Sequence, residues 1–222
     1  MMKPLVVLLT GFGPFPGAPL NPTAALVHRL ARLRHPGVAG VRLVCHVFHT
    51  SYRAVDEELP QLLSAHAPDA VLMFGLATAT SCLQVETRAR NAVSALIRDA
   101  EGHFSFATSI AADGPRTLRF TAPTQRLALA ARRARVPTVV SGDAGSYLCN
   151  YVSWRAIEAA GKPGGPRVVA FVHVPSPRRA RPRRRAERRH PLEMAELVRG
   201  GQAILLGLIA EARARRAHMT KR

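Results

Sequence analysis

The chain has 222 residues, of which 47% are hydrophobic, 21% charged and 5% aromatic. That apolar content excludes disorder throughout, and three widely spaced cysteines, Cys45, Cys82 and Cys149, exclude a disulfide scaffold or a paired-cysteine zinc site. Lys and Arg total 32 against 14 Asp and Glu, a net charge of +18; with no aromatic-plus-basic stacking motif beside it, this reads as a solvated basic surface in preference to nucleic-acid binding.

In chain order, the apolar run 5–10 predicts a buried strand, and Thr10-Gly11-Phe12-Gly13-Pro14 a loop leaving it. Asn21-Pro22 predicts a helix start, with Asn21 as cap and a helix to about 34. Strand 41–48, helix 54–65 and strand 70–74 follow. Then come helix 123–135, strand 137–141, helix 148–160, strand 168–174 and a last helix over 192–215. Alternation of this kind predicts an α/β protein, a single-domain three-layer α/β/α sandwich over residues 1–222 with a mostly parallel sheet.

The apolar run after Met1-Met2-Lys3 is too short for a signal peptide, and the apolar stretch 203–210 is too short to span a bilayer. A soluble cytoplasmic protein with reduced thiols, and no membrane partner, is therefore expected. Residues 178–189 carry eight arginines against Glu187, with Pro177 and Pro182 opposing a helix. A solvated, flexible loop is the favoured reading there; an anion-binding arm, open to nucleic acid, is the sharper one.

Open α/β sheets build sites beyond the carboxyl ends of their strands. Four such ends carry Thr10–Phe15, Phe74-Gly75-Leu76-Ala77, Ser141-Gly142-Asp143-Ala144-Gly145-Ser146 and Val172-His173-Val174-Pro175. Cys149 follows the third near a predicted helix start. A helix N-terminus favours negative charge, and hence the thiolate that cysteine chemistry uses. His173 ends a neighbouring strand and could exchange its proton. On position alone, Cys149 reads equally as a small buried hydrophobe.

The residues Thr10-Gly11-Phe12-Gly13-Pro14-Phe15 with Asn21-Pro22, Ala144-Gly145-Ser146-Tyr147-Leu148-Cys149-Asn150, Phe171-Val172-His173-Val174-Pro175 and the stretch Gly75 to Gly102 are similar, in order and spacing, to those of one family. The chain resembles the pyroglutamyl peptidase I (pyrrolidone-carboxylate peptidase) family of cysteine peptidases over residues 4–175. Asp113-Gly114-Pro115 matches a further segment. The resemblance implies Cys149 as nucleophile, His173 as acid–base and Glu86 as the carboxylate that orients the imidazole. Otherwise Glu86 is a surface carboxylate paired with Arg88 or Arg90. The resemblance also implies substrate-binding roles for Phe12, Phe15, Leu76 and Asn91, the two Phe as walls of a small lactam pocket. Ordinary core packing remains open for the two Phe, and a turn role for Asn91. It implies a peptide substrate with a blocked N-terminus, a homotetramer, no metal and no organic cofactor.

The recognition residues depart from the family pattern. Leu76 stands where the family has a lactam-binding glutamine, Thr78-Ala79-Thr80 replace Gly-Gly-Arg, and Gly13 replaces Glu. Ser94 and Ala95 also differ. Two alternatives follow: the same trio with a different acyl specificity, or a non-catalytic polyanion-binding protein using the Arg-rich segment.

Overall fold

The computed structural model describes residues 3–15, 17–104, 107–177 and 192–220. The Arg-rich stretch 178–189 lies outside the described residues. The elements are β1 (Leu5–Phe12), α1 (Pro22–Ala31), β2 (Val41–Phe48), α2 (Tyr52–His66), β3 (Ala70–Leu76), β4 (Leu83–Glu86), β5 (Arg88–Arg90), β6 (Thr117–Arg119), α3 (Thr124–Arg133), β7 (Thr138–Ser141), α4 (Leu148–Ala160), β8 (Val168–Val174) and α5 (Met194–Thr220). Six strands form one sheet in the order β2-β1-β3-β8-β4-β7. All neighbours run parallel except β4 against β8. The fold is thus α/β with a mostly parallel sheet between helices.

Strand side chains alternate between faces, so each strand feeds two cores. On one face Val7, Leu9, Leu72, Phe74, Val85 and Val172 pack with the apolar sides of α1, α3 and α5. On the other, Leu8, Phe12, Val71, Met73, Val169 and Phe171 meet α2 and α4. Trp154 of α4 is fully buried in that second cluster. Nearly continuous apolar strands are what a sheet covered on both faces requires.

Local chemistry sets the helix ends. Asn21 accepts the Thr23 N–H at 3.1 Å, and Pro22 occupies the first helical turn, as the sequence predicts. The helix expected to reach 34 stops at Ala31. His35 precedes Pro36 and is held extended, at φ −151°, which the helix cannot continue through. The last helix runs on to Thr220, where arginine side chains fasten it to connecting segments beside the sheet. Arg213 donates to Ala39 O at 2.7 Å, Arg215 to Arg167 O and Thr121 O at 2.6 Å each, and Arg216 to Lys3 O at 2.6 Å. Part of the basic excess is therefore spent on capping backbone carbonyls.

Three strands are absent from the sequence reading: β4, β5 and β6. Each is three or four residues long. Such runs carry no periodicity of their own and exist through their partners. No helix among the described residues is long and apolar enough to cross a membrane.

Candidate active site

Alternation along the strands brings the chemistry to one face. His173 shares the face of Val169 and Phe171, toward α4, and Gly75 shares that of Val71 and Met73. Gly75 and His173 are direct partners in the β3–β8 ladder, and His173 is also paired with Gln84 of β4. Glu86, two residues beyond Gln84, points to the same side.

The trio is assembled there. His173 Nδ1 lies 2.8 Å from Glu86 Oε1. Glu86 is 0% exposed and His173 7%. This settles the placement of Glu86 away from the surface pairing with Arg88 or Arg90; Arg90 pairs with Asp143 instead, at 3.0 Å. Cys149 is the other neighbour that acts on the imidazole. Burial by itself lowers the His173 pKa, but the nearby Cys149 side chain, then the Glu86 carboxylate, outweigh it and push it up to about 10.

Cys149 sits in the first turn of α4, whose cap residue Tyr147 supplies no side-chain hydrogen bond. The first-turn N–H groups of a helix lack intrahelical acceptors, so they are donors aimed at whatever binds beside the sulfur. The approach is tight. A Cβ on Gly75 would lie 2.5 Å from Cys149 Sγ and 2.6 Å from Phe171 Cζ, so only glycine leaves the thiol its place. Gly145, at φ +80°, makes the turn that leads into the helix.

The remaining sequence candidates separate. Phe15 is half-buried, with its ring centroid 6.4 Å from that of Tyr147, two residues before the thiol. Phe12 is core: it is 3% exposed and packs on Phe48 at 5.8 Å. Leu76 is half-buried at the end of β3, beside Gly75. The Asn91 side chain is committed to the chain itself. Its oxygen accepts from Ile110 N and Ala111 N, and its amide donates to Ala111 O and Gly114 O. With both ends occupied it shapes the 110–114 loop rather than offering hydrogen bonds to a ligand.

Two residues escaped the sequence reading as site builders. Asn150 is fully buried; its oxygen accepts Arg90 N at 2.8 Å and its amide donates to Arg90 O and Ala92 O at 2.8 and 2.9 Å. It locks α4, the helix that carries Cys149, to β5. A polar residue within the apolar run Leu148, Tyr151, Val152, Trp154 was the available signal. Tyr147 is the second: its hydroxyl donates to Arg98 O at 3.0 Å, holding the loop that carries the exposed Leu96 and Ile97. Among the described residues no group of three or more His, Cys, Asp and Glu side chains is placed to hold a metal ion.

Comparison with known proteins gives one consistent answer. The family description "Pyroglutamyl peptidase" matches residues 5–187. A pyrrolidone-carboxylate peptidase of Thermococcus onnurineus is 32% identical over 169 residues, covering 76% of this chain and 82% of that protein. One from Streptococcus pyogenes is 31% identical, covering 76% and 77%. The solved pyrrolidone carboxyl peptidase of Thermococcus litoralis superposes with a TM-score of 0.85 at 25% identity, covering 96% of both chains.

Proposed function

The chain belongs to the pyroglutamyl peptidase family, and we propose that it is a cysteine exopeptidase that hydrolyses the pyroglutamyl residue from the N-terminus of peptides. The observation that carries this reading is the buried His173, hydrogen-bonded to Glu86 and raised in pKa by the neighbouring Cys149.

The geometry suits acyl transfer. His173 takes the thiol proton, and the sulfur attacks the pyroglutamyl carbonyl. The oxyanion that forms is met by backbone N–H groups of the first turn of α4. His173 gives its proton to the departing amine, releasing the shortened peptide and leaving a thioester on Cys149. Water, deprotonated by His173, then hydrolyses the thioester to free pyroglutamate and restores the pair. Glu86 holds the ring by Nδ1 and stabilises its cation throughout. The Phe15 and Tyr147 rings supply flat apolar walls for the lactam, whose polar atoms turn to backbone groups at the strand ends.

Leu76 favours a second reading. An apolar side chain beside Gly75 offers no hydrogen bond to a lactam, and a site lacking such a partner discriminates less sharply. The same trio would then accept another small cyclic or apolar acyl group.

The test is hydrolysis of a fluorogenic pyroglutamyl amide under reducing conditions, with Cys149→Ala alongside and prolyl and other aminoacyl amides in parallel. Pyroglutamyl turnover that disappears in Cys149→Ala is the expected result. Turnover of a different amide alone, again dependent on Cys149, selects the second reading. Silence across the panel from folded protein overturns both.

A further inference from the structure

The short ribbon β5–β6 carries an arrangement the reaction has not used. In its antiparallel ladder Arg88 stands directly opposite Arg119, and Arg90 opposite Thr117. Alternation puts Arg88, Arg90 and Arg119 on one face, while Ala89 and Leu118 turn into the α4 core. Arg88 and Arg119 are exposed, and neither has an ion pair among the described residues. Like charges directly opposite on two strands destabilise the pair. An anion between the two guanidinium groups would reverse that sign.

The ribbon is tied to the nucleophile loop. Arg88 Nε donates to Gly142 O at 2.8 Å, and Arg90 reaches Gly145 O and Asp143. Its place in the fold gives it a direction. The Phe15 and Tyr52 rings that flank Tyr147 come from the segments after β1 and β2. In the sheet order β1 and β2 lie on one side of the β3–β8 pair that holds Gly75 and His173, and β4 and β7 on the other. Arg88 leaves the end of β4, two residues after Glu86. The Arg face thus lies on the β4 side of the Gly75–His173 pair, and the Phe15 and Tyr52 rings come from the β1–β2 side. A leaving amine that takes its proton from His173 and extends away from the Phe15 and Tyr147 rings would run toward β4.

From this placement we propose that the Arg88–Arg119 pair is a leaving-group subsite that selects peptides carrying an acidic side chain next to the scissile bond. The inference rests on the peptidase reading above. It adds to it a substrate class: pyroglutamyl peptides with Glu or Asp in second position.

The experiment compares pyroglutamyl-glutamyl amide with pyroglutamyl-glutaminyl amide, which differ in charge and hardly in shape, alongside a neutral pyroglutamyl naphthylamide. The ratio of kcat/KM for the two dipeptide amides is independent of how much of the enzyme is folded. At low ionic strength the Glu peptide is expected to be favoured about three- to tenfold, as for one or two exposed charge pairs. That preference should fall toward unity as salt is raised past the point where the screening length is about 10 Å. It should fall likewise in Arg119→Gln and in Arg88→Gln. A wild-type ratio of one or below, with the naphthylamide turned over, overturns the subsite and leaves the peptidase reading standing. A preference for Glu that survives both substitutions overturns the assignment to these residues. Absence of turnover of all three substrates overturns the peptidase reading, and the subsite with it.

Discussion

His173 Nδ1 lies 2.8 Å from Glu86 Oε1, joining β8 to β4 across 87 positions of sequence. The bond is formed out of solvent, where Glu86 Oε2 has no hydrogen-bond partner among the described residues. The imidazole is therefore the carboxylate's main source of compensation, and each group depends on the other. Glu86→Gln keeps the shape and removes the charge, and it is expected to lower kcat by about 100-fold or more. Glu86→Ala leaves the buried ring without its partner, and a loss of about 3–5 kcal/mol is expected in denaturant unfolding. Unchanged kcat in Glu86→Gln would remove Glu86 from the mechanism.

The raised pKa of His173 has a defined signature in stability. A group whose pKa is higher folded than unfolded contributes fully below its unfolded value and loses that contribution as pH rises through the folded one. For His173 the window runs from 6.5 to about 10. The difference in Tm between wild type and His173→Gln is expected to be constant below that window and to shrink across it. A difference that grows with pH would contradict the charged pair.

Gly75→Ala probes the space reserved for the thiol. The new Cβ would fall 2.5 Å from Cys149 Sγ and 2.6 Å from the Phe171 ring. Overpacking of this kind costs about 1–3 kcal/mol. The sulfur must also shift, and displacement of a reacting atom by about 1 Å can cost on the order of 100-fold in rate. Alkylation of Cys149 by iodoacetamide should slow together with turnover. Wild-type rates for both would show that the thiol does not need this gap.

Asn150→Ala leaves Arg90 N, Arg90 O and Ala92 O without their side-chain partner. Unpaired buried polar groups cost about 1–3 kcal/mol each, so a loss of about 2–4 kcal/mol is expected in chemical denaturation. Amide exchange at Arg90 should accelerate first, because its N–H is the donor that is freed. Protection equal to wild type at that amide would argue against the lock.

Arg215 joins α5 to Arg167 O and Thr121 O, and pairs with Glu211 of the same helix, through one guanidinium group. Arg215→Lys retains the charge but not the planar fork. It is expected to lose about 1–2 kcal/mol, close to the loss in Arg215→Ala. Full stability in the Lys variant would mean that charge alone fastens the helix.

Much of the architecture was legible from local patterns. Apolar runs marked β1, β2, β3 and β8, and Asn21-Pro22 marked the start of α1, because buried strands and helix caps leave their chemistry within a few neighbouring residues. The strand β4 left no such mark: Leu83–Glu86 is four residues long and is a strand through its ladders with β7 and β8. Phe12 and Phe15 stand three apart in one motif, yet one is core and the other faces Tyr147. Asn91, expected at the substrate, spends its amide on the 110–114 loop.

By itself the sequence determined the α/β class, the family and the identities of Cys149, His173 and Glu86 as a candidate trio, since those rest on residue type, order and spacing. Tertiary structure decided that Glu86 is buried beside His173 rather than paired with arginine at the surface. It also decided that Gly75 makes room for the thiol, and that Arg88 faces Arg119. These are relations between residues brought together by strand pairing and layer packing. A single side chain carries no record of which distant partner will lie across the ladder, because that partner is set by the burial of whole sheet faces.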